Sequence, residues 1–108
     1  MVRQIHPHDV KAKLAAGEPL LLVDVRQPEE YAICRIAGGV LIPLGELAGR
    51  AGEVTPPAGA TVVVYCHHGV RSLSGADVLT QAGVPNVVSL AGGIEAWSVL
   101  IDPTVPRY

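Results

Sequence analysis

The chain contains no Phe, one Trp and three Tyr among its 108 residues. A core with so few large rings has to be assembled from Val, Leu, Ile and Ala. Only two cysteines occur, Cys34 and Cys66. Two do not make a disulfide framework in a chain this long, so a reducing compartment, the cytoplasm, is the expected setting. Basic residues are not in surplus: eight Lys and Arg stand against ten Asp and Glu. A net charge of −2 gives little to hold a phosphate backbone, which argues against nucleic acid as a partner. Long apolar runs are missing as well. The longest, Leu20–Val23 and Val62–Val64, are far too short to cross a bilayer. The first nine residues lack the apolar stretch of a signal peptide, so no membrane partner is expected.

What is present is aliphatic. Hydrophobic residues make up 49% and charged residues 17%, which separates the chain from disordered sequences. One domain, residues 1–108, has enough core to fold without staples. Short apolar stretches alternate with helix-like ones. A first edge strand is expected over Val2–Ile5 and a helix over Pro7–Ala16, stopped by Gly17 in the left-handed region. Leu20–Asp24 is apolar on both faces and reads as a buried strand. Pro28-Glu29-Glu30 has the form of a first helical turn, with carboxylates at the positive end of the dipole. Residues 36–42 offer a short strand at most, and Leu44–Ala51 a short helix. The strongest strand is Thr61–Tyr65. An amphipathic helix follows from about Ser72 to Ala82, closed by Gly83. Val87–Leu90 is a last strand, followed by a helix through Trp97 and an extended tail, residues 102–108. Buried strands between helices imply an α/β fold, with a mainly parallel sheet of about five strands covered on both faces.

Ligands in such folds sit beyond the carboxyl ends of the strands. Cys66 falls at one of these ends, in Tyr65-Cys66-His67-His68-Gly69-Val70-Arg71-Ser72. A strand feeds a tight glycine turn, and the turn feeds a helix. Amides at a helix start lack partners within the helix. If the loop curls round the sulfur, the amides of His67 to Arg71 form an anion nest that favours the thiolate. Arg71 adds a positive charge to the same cup, and Ser72 closes the loop. Spacing narrows the chemistry. Four residues separate Cys66 from Arg71, one fewer than in the C-x5-R loop of cysteine phosphatases. A shorter loop suits the outer sulfur of a persulfide rather than a tetrahedral phosphate. The implied reaction is sulfur transfer by a covalent Cys66 persulfide, with no separate cofactor and with thiosulfate as a natural small anionic donor.

The chain here resembles the rhodanese family, over roughly Leu20 to Trp97. Asp24-Val25-Arg26 followed by Glu30-Tyr31 is similar to the family's D-V-R-x-x-x-E-[YF] stretch. Ile36-Ala37-Gly38-Gly39 and Ile42-Pro43-Leu44 resemble its G-H-I-P-G-A-x-N-I-P-L segment, Cys66–Ser72 its active loop, and Gly92-Gly93 through Ala96-Trp97 its closing G-G-x-x-A-W. The pattern departs at Cys34-Arg35, where the family has Gly-His, at Ala37 for Pro and at Leu41 for Asn. The tail, with Asp102-Pro103 and Pro106-Arg107-Tyr108, also looks like that of rhodanese domains fused to ubiquitin-activating-like adenylyltransferases. This implies a small sulfur-carrier protein, or a thiol, as acceptor.

Plainer readings stand beside these. Cys66 is otherwise a buried structural thiol, and Cys34 a passive small residue or a resolving thiol for Cys66. His67, His68 and Cys66 lack the spacing of a metal site, so no metal is expected. Asp24 and Arg26 form either an ion pair that fixes neighbouring loops or a substrate contact. Arg35 lines the pocket mouth or is a solvated charge. Trp97 is expected in the core. A non-enzymatic interaction module, a phosphatase or arsenate reductase, and a two-cysteine redox protein remain as rivals.

Overall fold

Successive side chains of the strand Thr61–Tyr65 belong alternately to two separate cores. Val62 and Val64 pack on one side; Val63 and Tyr65 pack on the other. All four are completely buried, as a strand covered on both faces requires. This strand, β4, sits at the centre of the sheet. The computed structural model describes residues 2–108.

The other elements follow in chain order. They are β1 (Arg3–Ile5), α1 (Pro7–Ala15), β2 (Leu20–Asp24), α2 (Pro28–Ile33), β3 (Val40–Leu41) and α3 (Leu44–Arg50). A single 3-10 turn over Ala51–Glu53 comes before β4, and α4 (Arg71–Gln81), β5 (Val87–Leu90) and α5 (Gly93–Leu100) come after it. The five strands run parallel in the order β1-β5-β4-β2-β3. Helices α1 and α5 cover one face through Val10, Ile94 and Trp97. Helices α3 and α4 cover the other through Leu47, Ala76 and Leu79. The α/β class, the parallel sheet and its two covered faces are as the residue pattern predicts.

Boundaries move by a residue or so, and one segment differs in kind. The last helix runs three residues past Trp97 to Leu100, because Ile94, Trp97 and Ser98 keep one face buried along it. The tail is not extended. It turns over residues 101–105, with Val105 only 8% exposed and its carbonyl accepting from the Ser98 hydroxyl at 2.6 Å. A buried valine at this point anchors the tail and sends the following residues back over the sheet. His6 caps α1: its Nδ1 accepts from the His8 amide at 3.1 Å.

Helix α5 packs its first turn directly on the loop after β4. The amides of Ile94 and Glu95 donate to the carbonyls of Cys66 and His67 at 2.8 and 3.1 Å. Two amides that have no partner inside α5 are satisfied in this way. Gly93 makes the approach possible. It has φ of +61°, and a Cβ there would lie 2.5 Å from the carbonyl oxygens of both Cys66 and His67. Replacing Gly93 with Ala is therefore expected to destabilise the fold by about 2–4 kcal/mol, the sum of overpacking and left-handed strain. Urea unfolding measures it; a loss below about 0.5 kcal/mol would show that the loop yields freely.

Candidate functional site

β4 ends at Tyr65, and the next residue, Cys66, points to the α4 side of the sheet. The chain then turns through Gly69, whose φ of +93° suits glycine, and enters α4 at Arg71. The Gly69 amide donates to Cys66 Sγ at 3.2 Å and the Ser72 amide at 3.3 Å. The Ser72 hydroxyl lies 3.4 Å from the same sulfur and 2.7 Å from the Ser89 hydroxyl on β5. Cys66, Ser72 and Ser89 are all essentially buried. The sulfur thus sits inside a curled loop, with main-chain donors aimed at it from the turn and from the helix start.

The cup is narrower in membership than the sequence suggests. Two amides, Gly69 and Ser72, reach the sulfur, not the whole run from His67 to Arg71. The Leu73 amide already bonds back to the Val70 carbonyl, and Val70 stands out to solvent at 73% exposure. Arg71 lies near enough to Cys66 for their charges to interact, but its hydrogen bonds go elsewhere. Its Nη1 and Nη2 donate to Glu30 Oε1 and Oε2 at 2.7 and 2.9 Å. A carboxylate at the first turn of α2 matches the guanidinium fork better than a lone sulfur does. Arg71 therefore ties α4 to α2, and its charge is largely neutralised there.

Asp24 and Arg26, at the carboxyl end of β2, form an ion pair that water does not reach. Arg26 Nε and Nη2 donate to Asp24 Oδ1 and Oδ2 at 2.9 and 2.7 Å. Nη2 also donates to the Cys34 carbonyl at 2.7 Å, and Nη1 to the Glu30 carbonyl at 3.4 Å and to the Tyr108 hydroxyl at 2.9 Å. Arg35 lies elsewhere. Its guanidinium sits 4.6 Å from the centre of the Tyr31 ring. It lines a cavity of about 400 Å³ with Cys34, Trp97 and Val105, which includes no residue of the Cys66 loop. Cys34 and Cys66 are free and belong to the two different cores, so a resolving role for Cys34 has no support. His67 and His68 stack at 3.9 Å between ring centres. Among the described residues no group of three or more His, Cys, Asp and Glu is placed to hold a metal.

Four residues of the site escape sequence reasoning: Glu30, Tyr65, Ser89 and Tyr108. Tyr65 gives its hydroxyl to the loop before β3, accepting from the Ile36 amide at 3.2 Å. Ser89 could have been suspected as the one hydroxyl inside the otherwise apolar β5. Glu30 carries a readable signal, since its Oε1 also accepts from the Gln27 amide at 3.1 Å, as a carboxylate at the start of a helix does. Tyr108 carries only its place in the tail resemblance, which says nothing of a contact with the site.

Burial and the neighbouring His68 hold His67 below the usual imidazole range. Glu30 is pulled down to about 2, first by its bonds to Arg71 and then by Tyr108 and the Gln27 amide, against the opposing effect of burial. A carboxyl lowered in the folded state stabilises the fold above its ordinary value near 4.5 and loses that contribution as pH falls towards 2. Acid titration of folding stability should therefore fall through this window in the native chain and less steeply in Glu30→Gln. Equal slopes in the two would show that Glu30 is not held as described.

Comparison with known proteins bears on this geometry. Residues 6–100 match the family model for the rhodanese-like domain. The chain is 37% identical over 98 residues to a sulfurtransferase from Allochromatium vinosum, covering 91% of this chain and 90% of that protein. It is 36% identical over 104 residues to the probable adenylyltransferase/sulfurtransferase MoeZ of Mycobacterium tuberculosis. That match covers 96% of this chain but spans only 26% of the mycobacterial protein's length. The crystal structure of a rhodanese-related protein from Thermoplasma volcanium shares the fold with a TM-score of 0.81 at 30% identity, over 98% of this chain and 99% of that one. With its signature segments gathered around one curled cysteine loop, and with a family match across nearly its whole length, the chain belongs to the rhodanese-like domain family.

Proposed function

We propose that this protein is a sulfurtransferase that carries a sulfane sulfur on Cys66. The observation that carries this reading is the pair of main-chain amides, Gly69 and Ser72, both directed at Cys66 Sγ. With Arg71 paired to Glu30, fixed amide dipoles in a water-poor site are the nearest stabilisers of an anionic sulfur. The thiolate attacks the outer sulfur of thiosulfate. A new S–S bond forms on Cys66, the donor's own S–S bond breaks, and sulfite leaves with that electron pair. An acceptor nucleophile, such as cyanide or a thiolate, then attacks the outer sulfur, and the Cys66 thiolate departs unchanged. Electrons balance without an external oxidant, reductant or bound cofactor. Cys66 is 1% exposed, so the loop has to part by about the width of one sulfur atom at each half-reaction.

A second reading concerns the acceptor. Val70, an apolar side chain at the apex of the loop, is 73% exposed, and an apolar knob beside a reactive sulfur suits contact with a protein. Delivery to a small sulfur-carrier protein fits this knob and the adenylyltransferase/sulfurtransferase relative. Two free cysteines suit a reducing, cytoplasmic setting, and no helix among the described residues is long and apolar enough to cross a membrane. Phosphate transfer is disfavoured because the C-x4-R loop is short.

Intact mass after incubation with thiosulfate should rise by one sulfur atom on Cys66 and return after dithiothreitol. Cys66→Ala should show neither the added mass nor thiosulfate-to-cyanide turnover; turnover in that variant would end the assignment. Ser72→Ala, which removes the hydroxyl beside the sulfur, should slow the first half-reaction about ten-fold, in line with loss of one hydrogen bond to an anion. Stopped-flow measurement of sulfite release reads this, and a rate equal to the native one would place the hydroxyl outside the chemistry. Persulfide formation with near-background cyanide turnover would favour the carrier-protein acceptor.

A further inference from the structure

The tail brings one phenol to the carboxyl end of the sheet. Tyr108 donates its hydroxyl proton to Glu30 Oε2 at 2.7 Å and accepts from Arg26 Nη1 at 2.9 Å. Its ring lies parallel to that of His67, with 3.8 Å between centres and 7° between planes. Arg26 sits 5.7 Å from the ring centre. The same Glu30 carboxylate holds both terminal nitrogens of Arg71. Tyr108 thus reaches both ends of the Cys66 loop, directly at His67 and through one carboxylate at Arg71.

We propose that Tyr108 is a positioning residue for the sulfur-transfer loop, an assignment that rests on the sulfur-transfer reading above. Its hydroxyl fixes the plane of the Glu30 carboxylate, and that plane sets the bidentate seat of Arg71 at the start of α4. The next residue, Ser72, supplies an amide and a hydroxyl to the sulfur. At the other end, the ring fixes His67 by face-to-face packing. His67 Nε2 is buried and has no hydrogen-bond partner, so the ring is oriented by stacking between His68 and Tyr108 together with its contact to the Tyr108 main chain.

The phenol is separable from the tail's anchors. Val105 is buried with its own hydrogen bond from Ser98 and seats the tail, whereas the exposed Arg107–Glu95 pair at 2.6 Å adds little to that seating. Tyr108 itself is 37% exposed and adds little to either core. Loss of its hydroxyl therefore leaves the tail seated while freeing Glu30 and Arg26. Burial, joined by the Glu30 carboxylate and opposed by Arg26, pushes the phenol up to about 12. It keeps its proton and remains a donor to Glu30 at any ordinary working pH.

The test compares Tyr108→Phe, Tyr108→Leu and the control Arg107→Ala, which removes the neighbouring ion pair but not the phenol. Thiosulfate–cyanide kinetics, the rate of Cys66 alkylation by iodoacetamide at one pH, and NMR signals of the His67 ring and the Arg71 side chain are read for each. Tyr108→Phe is expected to lower kcat about ten-fold with KM little changed, since attack geometry is lost while donor binding is not. The alkylation rate and the Arg71 signal should move with it, and the ring-current shift on His67 should persist. Tyr108→Leu should also lose that shift and fall further in kcat. Arg107→Ala should match the native protein in every readout. Native kcat, alkylation and Arg71 signal in Tyr108→Phe would overturn the assignment, as would equal losses in Arg107→Ala. If the native protein itself accepts no sulfur, the transfer reading fails. The alkylation rate and the Arg71 signal then decide the positioning role on their own, for if they change, it stands, and if they do not, it falls.

Discussion

A guanidinium cut off from water needs an acceptor for every N–H, and Arg26 is such a group. Its five N–H bonds are matched by five acceptor contacts, two on Asp24 and one each on Cys34, Glu30 and Tyr108. These acceptors come from β2, from both ends of α2 and from the tail. Satisfying one buried cation therefore settles how three segments meet at the carboxyl edge of the sheet. Burial of the guanidinium opposes its charge, but the bonds to Asp24 and Tyr108 prevail and hold it firmly protonated. Removing one partner would leave an uncompensated charge inside the protein, which is much more costly than losing a surface pair.

The site is built so that its strong charges are already paired. Arg26 is neutralised by Asp24 and Arg71 by Glu30. What remains for the sulfur is a pair of amide dipoles and a hydroxyl, fixed by β4, by α4 and by the grip of α5 on the Cys66 and His67 carbonyls. Dipoles held in place would not reorganise if, as proposed, charge moves between the cysteine sulfur and an outer sulfur. On the proposed sulfur-transfer reading, a free guanidinium pointing at the sulfur would bind any small anion tightly in the ground state, which is less useful for a group to be handed on.

The two cores divide the labour. The α3 and α4 side contains Cys66 and the hydroxyls of Ser72 and Ser89 beneath it. The α1 and α5 side contains Cys34, Tyr65, Trp97 and the anchor of the tail. Tyr65 links the layers to the loop before β3 through its hydroxyl. Strand alternation alone makes this division, because a shift of one residue in β4 would exchange the faces of Cys66 and Tyr65.

The parallel sheet, the helix positions and the place of Cys66 at a strand end were readable in the residue order. They depend on local pattern: valine runs, glycine stops and a tight turn before a helix. The membership of the cup was only partly readable, since which amides face a sulfur depends on how a loop curls. Arg71 stands close to the sulfur in sequence, whereas its hydrogen-bond partner Glu30 lies 41 residues away. Tyr108 lies 78 residues from Glu30, beyond any periodicity or spacing. Fold class and the place of Cys66 at a strand end follow from short-range steric and hydrophobic preferences. The pairing of charges and the seating of the phenol follow from long-range packing, which puts groups with unsatisfied donors and acceptors within reach of one another only once the chain has closed.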